Sequence, residues 1–447
     1  MADRPNLLLV FADQMRGEAM GTVNPQVLTP HLDRLAGEGV RFSNAVAECP
    51  LCTPSRAMLL TGKYPLSCRT VLNDLPMPVD QTTFAHVMGG EGYRTGYVGK
   101  WHLDGFPRSK FTPPGPRRQG FDDYWAAYNC THLYFEPRYY LDTPELVRAQ
   151  GYEPDVQTDL ALGFLERYRQ EPFCLVVSWG PPHNPYEMVP EQYRACYHPE
   201  KLALRPNVGP DANRRAIADY YAAVTALDAN LGRLLAALER LGLAERTMVV
   251  FTSDHGDLLW SHGRTDKQAP WEESISIPLI MRYPGVLPAG VCCPELIGVA
   301  DLAPTLLSLT GCPVPAEMEG LDLAAVARGE RAPQRRSLLI MDPVPTDNAL
   351  HWGVRAWRGV RTPRCTYARW QEADWVLYDN QQDPYQLHNL AADPAQAGLK
   401  AELEAELAGW LERLGDPFPS GEACLALLGQ SEAWRQRQAH FRSGKHW

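Results

Sequence analysis

Three runs of apolar residues in this chain stop abruptly at polar side chains. They span residues 6–12, 173–179 and 247–253. Continuous apolar runs of this length are typical of strands buried on both faces of a sheet. Segments with the helical spacing of apolar residues lie around them, at residues 29–39, 156–169 and 211–241. This alternation predicts an α/β fold with a large, helix-flanked, mixed central sheet.

The pattern changes in the last quarter of the chain. Short alternating segments at residues 352–362, 365–370 and 375–378 predict antiparallel strands, and residues 401–414 predict an amphipathic helix. A chain of 447 residues exceeds the size at which a single core stops growing. We therefore expect a large α/β domain, residues 1–335, and a smaller α+β domain, residues 336–447.

The composition argues against nucleic-acid and membrane partners and favours a cytoplasmic location. The net charge is −10 and no basic stripe occurs, which argues against a nucleic-acid partner. No run approaches the length of a membrane span, and the apolar run near residue 7 is too short for a signal peptide. We expect a cytoplasmic protein without a membrane partner, and the sequence predicts no oligomeric state.

The eleven cysteines are scattered without regular spacing, and we expect most of them to be reduced and structural. Cys49 and Cys52 fit a C-x-x-C redox pattern, which is one interpretation of this segment. Cys52 also precedes Pro54, and Arg56 follows one helical turn later. A negatively charged group at the start of a helix is stabilised by free N–H groups, and Arg56 could hold it or an anionic substrate. Cys52 is therefore a candidate nucleophile, and a buried structural cysteine is the alternative.

Polar residues follow the first and third apolar runs directly. Asp13 and Gln14 come after one, and Asp254 and His255 after the other. The carboxyl ends of strands in α/β sheets carry the sites of these proteins. Two carboxylates, an amide oxygen and an imidazole suit a divalent cation such as Ca²⁺, Mg²⁺ or Mn²⁺. Singly, each aspartate could instead cap a helix or hold a turn.

Four more residues are candidates for acid, base or anion-binding roles. Lys100 and His102 follow the apolar segment 93–98, and in a strand their side chains share a face. His183 follows two prolines that fix the backbone, and Lys267 lies in a polar loop. Taken alone, each is as well explained as a surface or turn residue.

Together these residues resemble the signatures of a known family. Residues 50–62 match the first sulfatase signature, and residues 92–102 resemble the second. The resemblance extends to residues 6–14, 29–36, 253–257, 272–279 and 377–384, and so covers nearly the whole chain. The chain is thus similar to the formylglycine-dependent sulfatases of the alkaline phosphatase superfamily. Gln14 and His255 replace an aspartate and an asparagine of many sulfatases, as in members that resemble choline sulfatases and phosphonate monoester hydrolases.

The resemblance implies that a formylglycine-generating enzyme converts Cys52 into formylglycine, whose hydrated aldehyde attacks a small sulfate ester of a sugar, aryl or alkyl alcohol. It implies a divalent metal, with Ca²⁺ first and Mn²⁺ or Mg²⁺ as alternatives. The implied ligands are Asp13, Gln14, residue 52, Asp254 and His255. In this scheme a sulfo-enzyme intermediate forms and then releases sulfate.

The resemblance also implies roles for the other candidates. Asp254 takes a proton from the nucleophile, His183 protonates the leaving group, and His102 is the base in the second half-reaction. Arg56 and Lys100 stabilise the formylglycine oxygens, and Lys267 holds the sulfate oxygens with the metal. His183 and Lys267 therefore contact the substrate.

Two other functions are alternatives. Hydrolysis of a phosphonate monoester or phosphodiester could use the same site, since sulfate and phosphate share their geometry. A binding protein or pseudoenzyme would keep Cys52 unconverted. Gln14 makes the site one unit less negative, which favours more anionic substrates, and His255 favours Mn²⁺ tolerance. Six residues are expected to wall the pocket: Asn73, Asp74, Asn129, His132, Tyr134 and Arg138.

Overall fold

The computed structural model describes residues 4–330 and 335–443. Within these ranges the strands are β1 (Asn6–Asp13), β2 (Val40–Val46), β3 (Arg94–Lys100), β4 (Tyr124–Tyr128), β5 (Arg138–Tyr139), β6 (Val147–Arg148), β7 (Phe173–Pro182), β8 (Thr247–Ser253), β9 (Leu279–Arg282), β10 (Val291–Gly298), β11 (Leu338–Asp342), β12 (Trp357–Arg361), β13 (Cys365–Trp370) and β14 (Asp374–Asp379).

The α-helices in the same ranges are α1 (Pro30–Gly37), α2 (Cys52–Thr61), α3 (Phe84–Gly90), α4 (Glu153–Arg167), α5 (Glu191–Arg194), α6 (Arg214–Arg240), α7 (Glu272–Ile275), α8 (Leu302–Leu309), α9 (Ala324–Ala327), α10 (Asp347–His351), α11 (Ala397–Leu414), α12 (Gly421–Leu427) and α13 (Ser431–Arg442). None of the helices in the described ranges is long and apolar enough to cross a membrane.

An eight-stranded mixed sheet forms the centre, in the order β10-β2-β9-β8-β1-β7-β3-β4. The run from β8 to β4 is parallel throughout, and β9 is antiparallel to both of its neighbours. The three apolar runs are β1, β7 and β8, and they lie side by side with β1 in the middle. The predicted α/β fold is confirmed.

Alternate residues of β1 face two different hydrophobic layers. Leu7, Leu9 and Phe11 pack in a cluster with residues of α2, α3, α8 and α11. Leu8 and Val10 pack in a second cluster with residues of α1, α4 and α6. This period of two is why the run is continuously apolar: both faces of the strand are covered.

A smaller antiparallel sheet follows, in the order β11-β12-β13-β14. Its expected strands at 365–370 and 375–378 match β13 and β14, but the expected strand at 352–362 is wrong over its first half. Thr346 caps α10 there, and Gly353 turns the chain with a φ of 75° before β12 begins at Trp357. The predicted domain boundary at residue 335 stays a prediction.

Candidate active site

The ends of β1 and β8 bring four potential ligands together. Because the two strands are parallel neighbours, Asp13 and Asp254 emerge at the same edge of the sheet. One ligand atom from each of Asp13, Cys52, Asp254 and His255 lies within 4.8 Å of every other, and all four residues are buried. The structure thus assembles most of the predicted metal ligands.

Cys52 reaches this cluster from the first residue of α2. The helix begins there because Leu51 is extended, and it ends at Gly62, which is left-handed. Sγ of Cys52 lies 3.2 Å from Nε2 of His255 and 3.8 Å from Oδ1 of Asp13. Burial and the charge of Asp13 raise the pKa of the Cys52 thiol, but the charges of Lys267, Lys100 and His255 outweigh them and lower it.

Two buried cations neutralise the carboxylates of the cluster. Nη2 of Arg56 donates to Oδ2 of Asp13 at 2.8 Å, and its Nε donates to Oδ2 of Asp254 at 3.0 Å. Nζ of Lys100 donates to Oδ2 of Asp13 at 2.6 Å. Burial raises the pKa of Asp13, but nearby cations, Lys100 first, hold it well below its usual range. These contacts satisfy buried charges that would otherwise be costly.

The donor set fits a divalent cation. Burial and the charge of Asp13 raise the pKa of Asp254, because two carboxylates packed together repel each other. A cation between them would remove this repulsion, and carboxylate oxygens with an imidazole are suitable ligands for it. Asp13, Asp254 and His255 would hold such an ion together with the group at position 52.

Gln14 lies beside the cluster, and both the nitrogen and the oxygen of its side-chain amide form hydrogen bonds. Its Nε2 donates to Oδ2 of Asp257 at 2.7 Å, and its Oε1 accepts from Nζ of Lys267. The backbone of Gln14 is left-handed, with a φ of 71°, an uncommon conformation for this residue type. This arrangement turns the amide oxygen towards Lys267, and Gln14 stays a predicted ligand.

Lys267 and His183 contact each other next to Gln14. Nζ of Lys267 lies 3.0 Å from Nε2 of His183, whose Nδ1 is 2.7 Å from the carbonyl oxygen of Asn184. The carbonyl can only accept, so Nδ1 carries the ring proton and Nε2 accepts from Lys267. Burial and Lys267 lower the pKa of His183. The ring of His132 stacks on that of His183 with centroids 4.1 Å apart.

Lys100 and His102 do not share a strand face, contrary to the expectation. β3 ends at Lys100, and His102 is left-handed with a φ of 56°. The strand lies so close to β7 that a Cβ at Gly99 would come 2.0 Å from the carbonyl oxygen of Ser178.

Nε2 of His102 lies 3.1 Å from Oδ1 of Asp74. Burial lowers the pKa of His102, but the charge of Cys130 and the hydrogen bond to Asp74 outweigh it and raise the pKa to about 10.

A cavity of about 340 Å³ opens next to these residues. We call the floor the group Asp13, Gln14, Cys52, Arg56, Lys100, Asp254 and His255. We call the rim the group Arg108, Thr346, Asp347, Asn348, Arg437 and Phe441, all of which line the cavity. His183 and Lys267 line the same cavity, and Nζ of Lys267 donates to Oε1 of Gln14 in the floor.

The expected pocket walls are partly right. Asn73 and His132 line the cavity. Tyr134 does not line it, but its hydroxyl donates to the carbonyl oxygen of His183 at 2.9 Å and so supports that loop. Asn129 is buried against the backbone, and Arg138 pairs with Glu136 away from the cavity.

Sequence reasoning missed the rim. Thr346 to Asn348 lie at the start of α10, and Arg437 and Phe441 belong to α13. α13 reaches the site because Trp434 packs on an apolar cluster that contains Leu51 and Leu75. No local pattern in residues 431–442 indicates this contact.

Comparison with known proteins identifies the family. The profile described as Sulfatase matches residues 5–312, and that described as N-sulphoglucosamine sulphohydrolase, C-terminal, matches residues 260–412. The chain belongs to the sulfatase family. This sulfatase is 41% identical over 427 residues to an ulvan-active sulfatase of Formosa agariphila, which covers 93% of this chain and 83% of the relative. The resemblance seen in the sequence is confirmed, and the protein is an enzyme that hydrolyses sulfate esters.

Solved structures agree with this assignment. A putative sulfatase from Bacteroides fragilis superposes with a TM-score of 0.85 at 32% identity, covering 94% of this sulfatase and 97% of its own chain. A second structure, BT4656 in complex with its substrate D-glucosamine-2-N,6-O-disulfate, superposes with a TM-score of 0.83 at 26% identity, covering 93% of this sulfatase and 99% of its own chain. Membership of the family implies a divalent metal and a formylglycine.

Proposed function

We propose that this sulfatase removes a sulfate group from a sulfated sugar, with formylglycine at position 52 and Ca²⁺ held by Asp13, Gln14, residue 52, Asp254 and His255. The observation that carries the proposal is the buried ligand cluster around Cys52 at the first residue of α2. A sugar is the proposed alcohol because one relative is named an ulvan-active sulfatase and one structural neighbour holds a glucosamine disulfate.

Ca²⁺ is proposed because oxygen atoms dominate the donor set. When both groups are present, formylglycine supplies the nucleophilic hydroxyl and the cation supplies positive charge to it and to the sulfate oxygens. Asp254 accepts the proton of that hydroxyl. Arg56 and Lys100 place fixed positive charge beside position 52, and Arg56 also orients both carboxylates.

The leaving oxygen needs a proton, and we assign its delivery to His183. Nζ of Lys267 donates to Nε2 of His183 at 3.0 Å, so Lys267 holds the proton of this contact. His183 can protonate the leaving oxygen once Nε2 has taken up a proton, and Lys267 is the adjacent donor that supplies it. Lys267 also contributes positive charge for the sulfate oxygens. Stacking on His132 and the hydrogen bond to the carbonyl of Asn184 fix the imidazole ring.

His102 is assigned as the base of the second half-reaction. Its Nε2 is taken by Asp74, whereas its buried Nδ1 has no hydrogen-bond partner in the described part of the chain. Nδ1 is therefore the atom that exchanges the proton, and because the pKa of His102 is raised to about 10, the ring must first release its Nδ1 proton before it can act as the base. Asp74 stabilises the protonated ring that results.

The modification can be read from a single tryptic peptide. Cleavage after Arg41 and Arg56 gives residues 42–56, which contain both Cys49 and Cys52. After coexpression with a formylglycine-generating enzyme and treatment with iodoacetamide, Cys49 should be alkylated and residue 52 should be an aldehyde. Release of sulfate from a sulfated monosaccharide is then measured, with a matched phosphonate monoester as the competing substrate. An alkylated Cys52, or faster hydrolysis of the phosphonate ester, would overturn the proposal.

A further inference from the structure

Two arginines of the rim share a single carboxylate. Asp74 is fully buried, and its Oδ1 accepts from Nε of Arg108 at 2.8 Å. Its Oδ2 accepts from Nη2 of Arg108 and from Nη2 of Arg437, each at 3.0 Å. Asp74 also contacts His102. Two guanidinium groups therefore face one carboxylate, which leaves an excess of positive charge.

Arg437 is buried with an unused donor. Its side chain is 9% exposed, and its Nε has no hydrogen-bond partner among the described residues. A buried donor without a partner costs free energy, and few occur in native structures. The ring centroids of Trp434 and Phe441 each lie 4.7 Å from its guanidinium carbon, so the group is held in place.

The two arginines line the same cavity as His183 and Lys267. Asn73, which precedes Asp74, lines this cavity too, and its Oδ1 accepts from the backbone N–H of Thr53, the neighbour of Cys52. The charge of Cys52 is also among those that raise the pKa of Arg108, so the arginine pair lies within electrostatic reach of the nucleophile position. A group on the same sugar or on the adjacent sugar of a substrate can reach it.

The charges around the pair leave room for an anion. Asp347 is the acidic residue of the rim, and it is exposed, so water screens its charge. The charge of Cys130 also acts on Arg108, but Cys130 faces His102 and Lys100 as well. Asp266 also lines the cavity, but it pairs with Lys267 at 3.2 Å. Guanidinium groups bind carboxylate and sulfate oxygens through charge-assisted hydrogen bonds.

We propose that Arg108 and Arg437 form a subsite for a second oxyanion of the substrate, a carboxylate or a second sulfate, beyond the sulfate that is cleaved. The subsite rests on the proposed function, since it selects among sulfated sugars. It makes the enzyme specific for saccharides that carry at least two negative groups.

The first test compares substrates with and without a second anion. Arg437→Gln should lower kcat/KM about 10- to 100-fold on a sulfated uronate disaccharide, the size expected for a lost charged hydrogen bond. On 4-nitrophenyl sulfate and on the carboxyl-reduced disaccharide the loss should be small. Arg435→Gln is the matched control, because Arg435 is on the same helix, 70% exposed, and pairs with Glu432. It should change none of the three values.

Equal losses on all three substrates would overturn the subsite, as would no loss on any of them. Arg437→Lys keeps the charge and should recover part of the activity on the charged disaccharide, which separates lost binding from misfolding. If the carboxyl-reduced disaccharide is affected only when it carries two sulfates, the second oxyanion is sulfate.

A measurement of substrate affinity tests the subsite in the absence of catalysis. Calorimetry on the Cys52→Ala protein should show weaker binding of the carboxyl-reduced disaccharide than of the uronate form, and Arg437→Gln should abolish that difference. If the matured enzyme releases no sulfate but this difference persists, the proposed function fails and the subsite stands. If sulfate is released but the difference is absent, the subsite fails alone.

Discussion

The floor and the rim of the active-site cavity are made from different kinds of structure. Floor residues lie at the ends of β1, β3 and β8 and at the first residues of α2, and their side chains are almost completely buried. Rim residues come from loops and from α10 and α13, and two of them, Asp347 and Asn348, are exposed. The difference separates two tasks: the floor holds the charges that cleave the ester, and the rim contacts the rest of the substrate.

The two regions also balance charge differently. In the floor, Arg56 and Lys100 face two carboxylates, so each charge has a partner. In the rim, two arginines face the single carboxylate of Asp74. The paired charges of the floor are stable before substrate binds. The excess positive charge of the rim is stabilised when an anion binds to it.

The largest effect should come from the nucleophile position. Cys52→Ala should lower kcat by about 10⁴-fold or more on every substrate, because no other group of the floor can replace a nucleophile. Cys49→Ala is the control, since Cys49 is buried in the hydrophobic core and should leave activity unchanged. Loss of activity in both variants would instead support the C-x-x-C interpretation. Sulfate release measured with matured proteins decides between them.

Metal removal should be the next largest effect. Chelation should reduce kcat on the order of 10³-fold, because a bound cation contributes several kcal/mol of charge stabilisation. Ca²⁺ should restore activity. Chelation should lower the kcat of the Arg437→Gln enzyme by the same factor as that of the unmodified enzyme, because Arg437 pairs with Asp74 and not with a proposed metal ligand. Greater recovery with Mn²⁺ than with Ca²⁺ would contradict the calcium assignment and indicate that His255 decides the metal.

Asp74 contacts both rim arginines and His102, the assigned base, so its replacement tests how separate the rim is from the catalytic residues. Asp74→Asn should destabilise the protein by about 3–5 kcal/mol, because Arg108 and Arg437 lose the charge of their shared partner. It should also lower kcat on 4-nitrophenyl sulfate, since His102 loses the carboxylate that stabilises its protonated form. Calorimetric unfolding and steady-state kinetics measure the two effects.

Asp80→Asn is the matched control, because the Asp80 side chain is 63% exposed and its pairing with Arg69 is at the surface. An Asp74→Asn enzyme that keeps its kcat on the small substrate would show that His102 does not depend on the rim.

The smallest effect should come from replacing Asp342, which contacts the rim indirectly through Gln268. Its Oδ2 accepts from Gln268, a residue that lines the cavity and contacts Thr346. Burial raises the pKa of Asp342 to about 7. In the unfolded chain the pKa is about 3.9, so between these values only the unfolded state loses its proton, and stability falls as pH rises.

Asp342→Asn should remove this dependence. The difference in melting temperature between Asp342→Asn and the unmodified protein should increase by on the order of 2 °C between about pH 4 and pH 7. Above pH 7 this difference should stay constant. Melting curves in a series of buffers measure this, and activity on 4-nitrophenyl sulfate should not change. A difference that is constant with pH would mean that Asp342 is ionised in the folded protein.

Local sequence predicted the floor well because its residues follow directly from strand ends and a helix start. The apolar runs place Asp13 and Asp254 at strand ends, and Pro54 in the first turn indicates where α2 starts. The same reasoning was wrong about His102. Strand alternation stops at Lys100, and the left-handed backbone of His102 sends its side chain towards Asp74 instead.

The sequence by itself determined the parallel strands, the apolar layers on both of their faces and therefore the meeting of Asp13, Cys52 and Asp254. Neighbouring parallel strands turn a local pattern into a spatial one, because all their carboxyl ends share one edge. Only the tertiary structure decided that Arg437 reaches Asp74. That contact depends on Trp434 packing against an apolar cluster whose members include Leu51 and Leu75, hundreds of positions earlier in the chain. No pattern in the sequence around Trp434 indicates such packing.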